Sequence, residues 1–146
     1  MVTNELRYSD AFIAEVLRSV KTIALVGASV KQDRPSHEVM AFLQGRNYRV
    51  IPVNPGLAGQ AVLGELARES LAAIGETVDM VDIFRRSESV APIVDQAIAI
   101  RAKVVWMQLG VRDDAAAAKA QAAGLTVIMN RCPKIEALRL TAAGLL

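Results

Sequence analysis

The sequence has 146 residues, of which 53% are hydrophobic, 22% charged and 4% aromatic. This length fits one domain of about 100–200 residues, so we expect residues 1–146 to fold as a single unit, and the composition argues against intrinsic disorder. The net charge is +2, with 17 Lys and Arg residues against 15 Asp and Glu residues. So small a charge and so few rings predict no nucleic-acid partner, and any anion site has to be local.

The chain has one cysteine, Cys132, and one histidine, His37. The lone thiol excludes an intramolecular disulfide, and the ligand count argues against a structural zinc site. No signal peptide is visible in the first twenty residues, and no segment reaches the roughly 18 apolar residues of a membrane helix. These features predict a cytoplasmic protein with no membrane partner.

Strands and helices are predicted to alternate along the chain. A leading helix within residues 1–20 starts at Ser9 or Asp10 and has an apolar stripe of Phe12, Ile13, Val16, Leu17 and Val20. Apolar runs predict strands at 22–27, 48–53, 78–84, 103–110 and 125–129. Helical patterns lie around residues 39–43, 87–101, 113–124 and 133–140.

Several boundaries carry specific predictions. Ser36, just behind Pro35, is expected to cap the second helix, and Pro52 is expected near a sheet edge because it cannot donate to a ladder. The segment 57–77 is mixed, with a short apolar piece at 61–63 and an amphipathic stretch from Leu66 to Ile74. Strand–helix alternation about every 25 residues predicts an α/β fold with a mostly parallel sheet, whose ligands bind outside the carboxyl ends of the strands.

The loop after the first strand, residues 27–36, resembles a phosphate loop in composition. Gly27 lets the backbone turn sharply, and the next helix offers free N–H groups to an anion. The loop matches neither the dinucleotide fingerprint nor the Walker motif. A tight turn with a serine cap is the alternative interpretation.

The next two loops suggest a nucleotide. Asn54, followed by Pro55, stands where an NAD site needs an acid, which disfavours NAD, although the pair is also compatible with a simple turn. Phe84, Arg85 and Arg86 bring one ring and two guanidinium groups to a helix start and indicate adenine plus phosphate. A solvated basic turn with Phe84 in the core is the alternative.

The last two loops could border a thin ligand or a reactive thiol. Gln108 and Gly110 would let a ligand run along the backbone, or they form an ordinary strand end. Asn130, Arg131 and Cys132 place a thiol beside a cation and a helix start, which would lower the thiol pKa. An inert buried cysteine is the alternative.

Cations are concentrated in these loops. Against the acids Asp33 and Glu88 stand six cations: Lys31, Arg34, Arg85, Arg86, Arg131 and Lys134. A ligand with several phosphates would explain this concentration. A coincidence among surface residues is the alternative.

Six stretches carry a family resemblance, in order along the chain: TIALVGAS, RPSHEVMAFL, YRVIPVNP, VDMVDIFRRSESV, AKVVWMQLGV and AGLTVIMNRCPKIE. Over about residues 20–137 the chain resembles the small bacterial coenzyme A-binding domain proteins, which are similar to the CoA-binding domain of the succinyl-CoA synthetase alpha subunit but stand alone. The resemblance implies a Rossmann-like α/β fold, a mostly parallel sheet of about five strands with helices on both faces.

The resemblance also implies residue roles for coenzyme A or acyl-CoA. The phosphates would be held by Gly27, Ala28, Ser29, Arg34 and Ser36, and the nucleotide side would be lined by Asn54 and Pro55. Phe84, Arg85 and Arg86 would flank the adenosine part. The pantetheine would be bordered by Gln108, Gly110, Asn130, Arg131 and Cys132. The chain departs from its relatives at Asn130, where they often have an acid.

The leading hypothesis is non-catalytic binding of coenzyme A or acyl-CoA, with no catalytic residue and no metal. His37 is expected on a helix surface, away from any chemistry. One alternative is an acyl-carrying or redox role through Cys132, and another is an NAD(P)-binding oxidoreductase that uses the basic loops. Whether the chain forms a homo-oligomer or serves a partner enzyme is left open.

Overall fold

A computed structural model describes residues 6–146 and shows a five-stranded parallel sheet with helices on both faces. The elements, numbered in chain order, are α1 (Asp10–Ser19), β1 (Thr22–Val26), α2 (Pro35–Gly45), β2 (Arg49–Val53), β3 (Ala61–Val62), β4 (Glu65–Leu66), β5 (Met80–Ile83), α3 (Val90–Ala99), β6 (Val104–Met107), α4 (Asp114–Ala122), β7 (Thr126–Ile128) and α5 (Pro133–Ala142). The predicted Rossmann-like α/β fold is confirmed.

The sheet has the strand order β2-β1-β5-β6-β7, and every adjoining pair is parallel. The chain runs from β1 to its neighbour β2 and then returns past β1 to β5, so the strand order reverses between β1 and β5. Val26 and Ile83 are register partners at the carboxyl ends of these two strands. The loops that follow β1 and β5 therefore start side by side at the reversal, where open α/β sheets bind ligands.

Each face of the sheet has its own apolar core. Helices α3 and α4 cover one face through Val90, Val94, Ala97 and the small residues of α4. Helices α1, α2 and α5 cover the other, where Trp106 is fully buried and its Nε1 donates to the Arg131 carbonyl at 2.8 Å. Because both faces are covered, all four residues of β5 are buried, and this strand has no solvated face, as predicted.

Two predicted helix starts are confirmed and one is wrong. Ser9 caps α1 by accepting from the Phe12 amide at 3.1 Å, and Asp113 caps α4. Ser36 does not cap α2: the N-cap is Arg34, and Ser36 is buried in the first turn. Pro35 decides this, because its fixed φ suits the first helical position and keeps the preceding residue extended.

The remaining local predictions agree with the structure in part. The stretch from Leu66 to Ile74 forms no helix, because the main chain of Arg68 bonds to Pro52 and Asn54 and keeps this segment against the end of β2. Pro52 lies on the edge strand, as predicted. Phe12 is exposed, unlike the rest of its stripe, and stacks on Tyr8. Of the predicted leading region, residues 1–5 lie outside the described residues.

Among residues 6–146, no helix is both long and apolar enough to cross a membrane.

Candidate functional site

A cleft of about 830 Å³ lies at the carboxyl ends of β1, β5 and β6. Its walls are the loops 27–31, 84–86 and 108–111, together with the first turn of α2, Asn54 and Leu57. This volume lies in the range of small-molecule sites, and the position matches the reversal of strand order. The cleft is therefore the candidate site.

Gly27 brings the first loop against the third. Its φ of +95° belongs to the left-handed region, and its amide donates to the Val53 carbonyl at 2.9 Å. A Cβ at this position would lie 2.2 Å from the carbonyl oxygen of Phe84. Both the φ and the contact require glycine, so the floor of the cleft is bare backbone that a ligand can approach closely.

The first turn of α2 lines the same cleft with Arg34, Pro35 and Ser36. The N-cap residue Arg34 makes no side-chain cap hydrogen bond within residues 6–146, unlike the N-cap residues of α1 and α4. The amino end of a helix carries a partial positive charge, which favours anions. The helix therefore adds to a cationic environment that the neighbouring side chains create.

Four cations line the cleft: Lys31, Arg34, Arg85 and Arg86. Their side chains have no acid or hydrogen-bond partner among residues 6–146. The lining residues include neither Asp nor Glu within this part of the chain. Four uncompensated cations around one cavity give it a positive potential that attracts anionic ligands.

The other two cations of the predicted set are paired elsewhere. Lys134 Nζ lies 2.6 Å from Glu38 Oε1, and this hydrogen bond and charge lower the pKa of Glu38. Arg131 donates from Nη2 to the Leu6 carbonyl at 3.0 Å, and its guanidinium lies 5.2 Å from the centre of the Tyr8 ring. Six cations were predicted together because they lie in the loops after the strands. In the folded chain, four of these six line the cleft.

Asn54 joins the loop after β2 to the loop after β1. Its Nδ2 donates to the Ala28 carbonyl at 2.8 Å, and its Oδ1 accepts from the Gly56 amide at 2.9 Å. Pro55 is exposed in a 3-10 turn and does not line the cleft. Asn54 accordingly fixes the cleft wall, while Pro55 starts the turn behind it.

Gln108 is a buried polar side chain of the cleft lining. It is 8% exposed, and its Oε1 has no hydrogen-bond partner in the described part of the chain. β6 ends at Met107, earlier than predicted. The Gln108 amide still donates to the Ile83 carbonyl at 3.2 Å, and residues 108–111 line the cavity. An unpaired buried acceptor is costly, and a ligand N–H or O–H would satisfy it.

Asn130, Arg131 and Cys132 do not line the cleft. Asn130 contacts it indirectly, since its Oδ1 accepts from the Gly110 amide at 2.7 Å. Cys132 is 6% exposed and occupies the N-cap of α5. The thiol is therefore part of the packed layer beneath α5.

Asp82 is a buried acid outside the cleft lining. It lies in the central strand with Leu25 and Trp106 as register neighbours, and neither of its carboxylate oxygens has a hydrogen-bond partner among the residues that the structure describes. Burial raises its pKa well above the ordinary value of 3.8, so the neutral form is favoured in the folded chain.

Most of the predicted site residues meet in this one cleft: Gly27, Ala28, Ser29, Arg34, Ser36, Asn54, Phe84, Arg85, Arg86, Gln108 and Gly110. Lys31, predicted only as one of the six loop cations, also lines the cleft. The lining residues that sequence reasoning did not single out are Val30, Pro35, Leu57, Leu109 and Val111. All of these except Leu57 adjoin predicted residues within the same loops, so their positions in the sequence could have identified them. No feature of the sequence singled out Leu57. Among residues 6–146, no cluster of His, Cys, Asp and Glu is suited to hold a metal ion.

Comparison with known proteins identifies a family. Residues 21–137 match the family described as CoA binding domain. An uncharacterised protein of Bacillus subtilis (strain 168), YneT, is 39% identical over 127 residues, which are 87% of this chain and 93% of YneT.

Solved structures show the same fold. A hypothetical protein from Pyrococcus horikoshii OT3 has a TM-score of 0.88 and 38% identity, with 95% of this chain and 99% of that chain covered. A dinucleotide-forming acetyl-coenzyme A synthetase 1 from Ca. Korarchaeum cryptofilum has a TM-score of 0.67 and 18% identity, with 79% of this chain and 27% of that chain covered. The second similarity is one of fold alone.

Proposed function

Since this chain belongs to the family of CoA-binding domains, we propose that its cleft binds coenzyme A or an acyl-CoA and that its own residues catalyse no reaction. The observation that carries the proposal is a set of four cations around one cavity that have no partner within the described residues 6–146: Lys31, Arg34, Arg85 and Arg86. Coenzyme A carries a diphosphate and a separate 3′-phosphate, so it has enough negative charge to engage all four.

The proposal places the diphosphate at the bare backbone of Gly27, Ala28 and Ser29. The first turn of α2, with Arg34 and Ser36, lies beside that backbone and supplies the Ser36 N–H and positive charge. The close approach that Gly27 permits supports this placement, because no side chain keeps a phosphate away from the main chain at this point. The Gly27 and Ala28 amides themselves donate to the Val53 carbonyl, so the donors to the phosphate would come from the first turn of α2 and from Arg34.

The adenosine end is assigned to the loop after β5. Phe84 offers a half-buried ring, and Arg85 and Arg86 offer donors for the 3′-phosphate. Asn54 holds the opposite wall through Ala28. The pantetheine is assigned to the loop after β6, where an amide N–H of the ligand would satisfy the buried Gln108 Oε1.

The proposal gives the cleft a binding role, and a partner enzyme would supply any chemistry on the bound thioester. Cys132 is not assigned a role with the ligand, because its thiol is buried outside the cleft. We also propose a cytoplasmic location, on the ground of the lone cysteine.

Isothermal titration with CoA, dephospho-CoA and NADPH at one stated ionic strength tests the proposal. We expect CoA to bind, and dephospho-CoA to bind about ten-fold more weakly because it lacks one charge-assisted contact. No binding of CoA at millimolar concentration would overturn the proposal. Binding of NADPH without CoA would favour the NAD(P) alternative.

A further inference from the structure

The segment before α1 is connected to the cleft through the loop after β7. We call residues 6–8 the N-terminal strap. The Met129 amide donates to Tyr8 Oη at 2.9 Å, and Arg131 Nη2 donates to the Leu6 carbonyl at 3.0 Å. The Arg131 guanidinium lies over the Tyr8 ring. The strap therefore contacts the residues on both sides of Asn130.

Asn130 continues this connection to the cleft. Its φ of +57° lies in the left-handed region, which asparagine tolerates better than most residues. Its amide donates to the Val111 carbonyl at 3.2 Å, and its Oδ1 accepts from the Gly110 amide at 2.7 Å. Both of these partners line the cleft. Asn130 thus touches the cleft wall from behind, without facing the cavity.

Gly110 depends on this support because it lies outside the sheet ladder. It is exposed, with a φ of +79°, and β6 has already ended at Met107. Its carbonyl accepts from Ser87 Oγ at 3.4 Å, and the same Ser87 Oγ accepts from the Arg112 amide at 2.9 Å. Side chains therefore fix the main chain at Gly110: Asn130 holds its N–H, and Ser87 holds its C=O.

We propose that Asn130 is a positioning residue for ligand binding and that the N-terminal strap holds it in place, so that changes in the strap alter ligand affinity without touching the ligand. The inference rests on the proposed function. The physical reason is preorganisation: a loop already held in its binding conformation loses less conformational freedom when the ligand arrives.

The first test compares Asn130→Gly with Asn130→Asp. Glycine adopts the positive φ without strain but has no acceptor, whereas aspartate keeps an acceptor for the Gly110 amide. We expect Asn130→Gly to bind CoA about five-fold more weakly. We also expect it to speed hydrogen exchange at the Gly110 amide. Asn130→Asp should keep the slow exchange and bind CoA more tightly than the glycine variant, despite its negative charge. Equal affinity in these two variants would overturn the role of the acceptor.

The second test addresses the strap. Tyr8→Phe removes the acceptor of the Met129 amide and keeps the ring against Phe12 and Arg131. Tyr48→Phe is the matched control, because Tyr48 donates to the Leu17 carbonyl between α1 and the end of α2, away from the cleft. We expect Tyr8→Phe to weaken CoA binding and to speed exchange at Met129 and Gly110, while Tyr48→Phe leaves both exchange rates and the CoA affinity unchanged. The same CoA affinity in both variants would refute the role of the strap.

The exchange measurement separates this inference from the proposed function. Failure of the wild-type chain to bind CoA would remove the proposed function, and with it the link to affinity. If CoA binds the wild type and both Asn130→Gly and Tyr8→Phe leave Gly110 exchange and CoA affinity unchanged, the inference alone is wrong.

Discussion

Gly27 and Phe84 meet main chain to main chain where β1 and β5 end. A Cβ on Gly27 would lie 2.2 Å from the Phe84 carbonyl oxygen, and the Phe84 amide donates to the Val26 carbonyl at 2.8 Å. No side chain fits between the two loops at this point. The floor of the cleft is consequently main chain, at the place where the strand order reverses.

Gly27→Ala should destabilise the fold and weaken CoA binding. The added methyl meets main-chain atoms that cannot move aside, and alanine disfavours a φ of +95°. We expect a loss of about 2–5 kcal/mol in the free energy of unfolding, measured with urea. Gly45→Ala is the control, since a Cβ there has no atom within 4 Å. Comparable stability of the two variants would contradict the steric explanation.

Replacement of Arg85 and Arg86 by glutamine should weaken CoA binding with little effect on folding. Neither side chain has a hydrogen-bond or ion-pair partner within residues 6–146, so the replacements remove no such interaction from the folded chain. We expect at least a ten-fold increase in the Kd for CoA, and a smaller increase for dephospho-CoA. Lys21→Gln provides the control, because Lys21 is exposed just before β1, at the amino end of the strand, whereas the cleft lies at the carboxyl ends. An equal increase in the Kd for CoA and for dephospho-CoA would show that these arginines do not bind the 3′-phosphate.

Gln108→Leu should affect stability and binding in opposite directions. The unpaired Oε1 costs free energy in the ligand-free chain, and a leucine of similar size removes that cost. We expect a free energy of unfolding equal to or above that of the wild type, together with about five-fold weaker CoA binding. Urea unfolding and titration calorimetry measure the two effects. Unchanged CoA affinity would show that the acceptor does not face the ligand.

Asp82→Asn should remove a pH-dependent destabilisation. Burial raises the pKa of Asp82 well above 3.8, the value near which the unfolded chain ionises. Between these two pKa values the folded state binds more protons than the unfolded state, so stability falls as the pH rises and stays low above the folded-state pKa.

Comparison of the wild type with Asp82→Asn isolates the contribution of Asp82 to the pH dependence of stability. Asp79, Glu76 and the other acids whose pKa is lowered contribute with the opposite sign, and they are common to both chains. The stability of the wild type minus that of Asp82→Asn should therefore decrease with pH above about 4, by at most about 1.4 kcal/mol per pH unit. Urea unfolding over a pH series measures it, and a difference independent of pH would refute the buried neutral acid.

The sequence predicted those strands and helices that are determined by interactions between residues close together in the chain. The apolar run at Thr22–Val26 and the spacing of Val90, Val94 and Ala97 have one favourable solution each, a buried strand and an amphipathic helix. The segment from Leu66 to Ile74 was misleading, because its course depends on main-chain bonds between Arg68 and the end of β2. Such a long-range contact leaves no periodic trace in the sequence.

The candidate site divides in the same way. The sequence by itself determined which loops follow the strands, and in a parallel sheet these loops must share one edge, so Gly27, Phe84 and Gln108 were expected together. Only the tertiary structure decided where each long side chain goes. Arg34, Arg85 and Arg86 line the cleft without a partner among residues 6–146, while Lys134 pairs with Glu38 and Arg131 with the N-terminal strap. The physical reason is that periodicity fixes backbone placement, whereas the partner of a flexible cation is set by contacts between residues far apart in the chain.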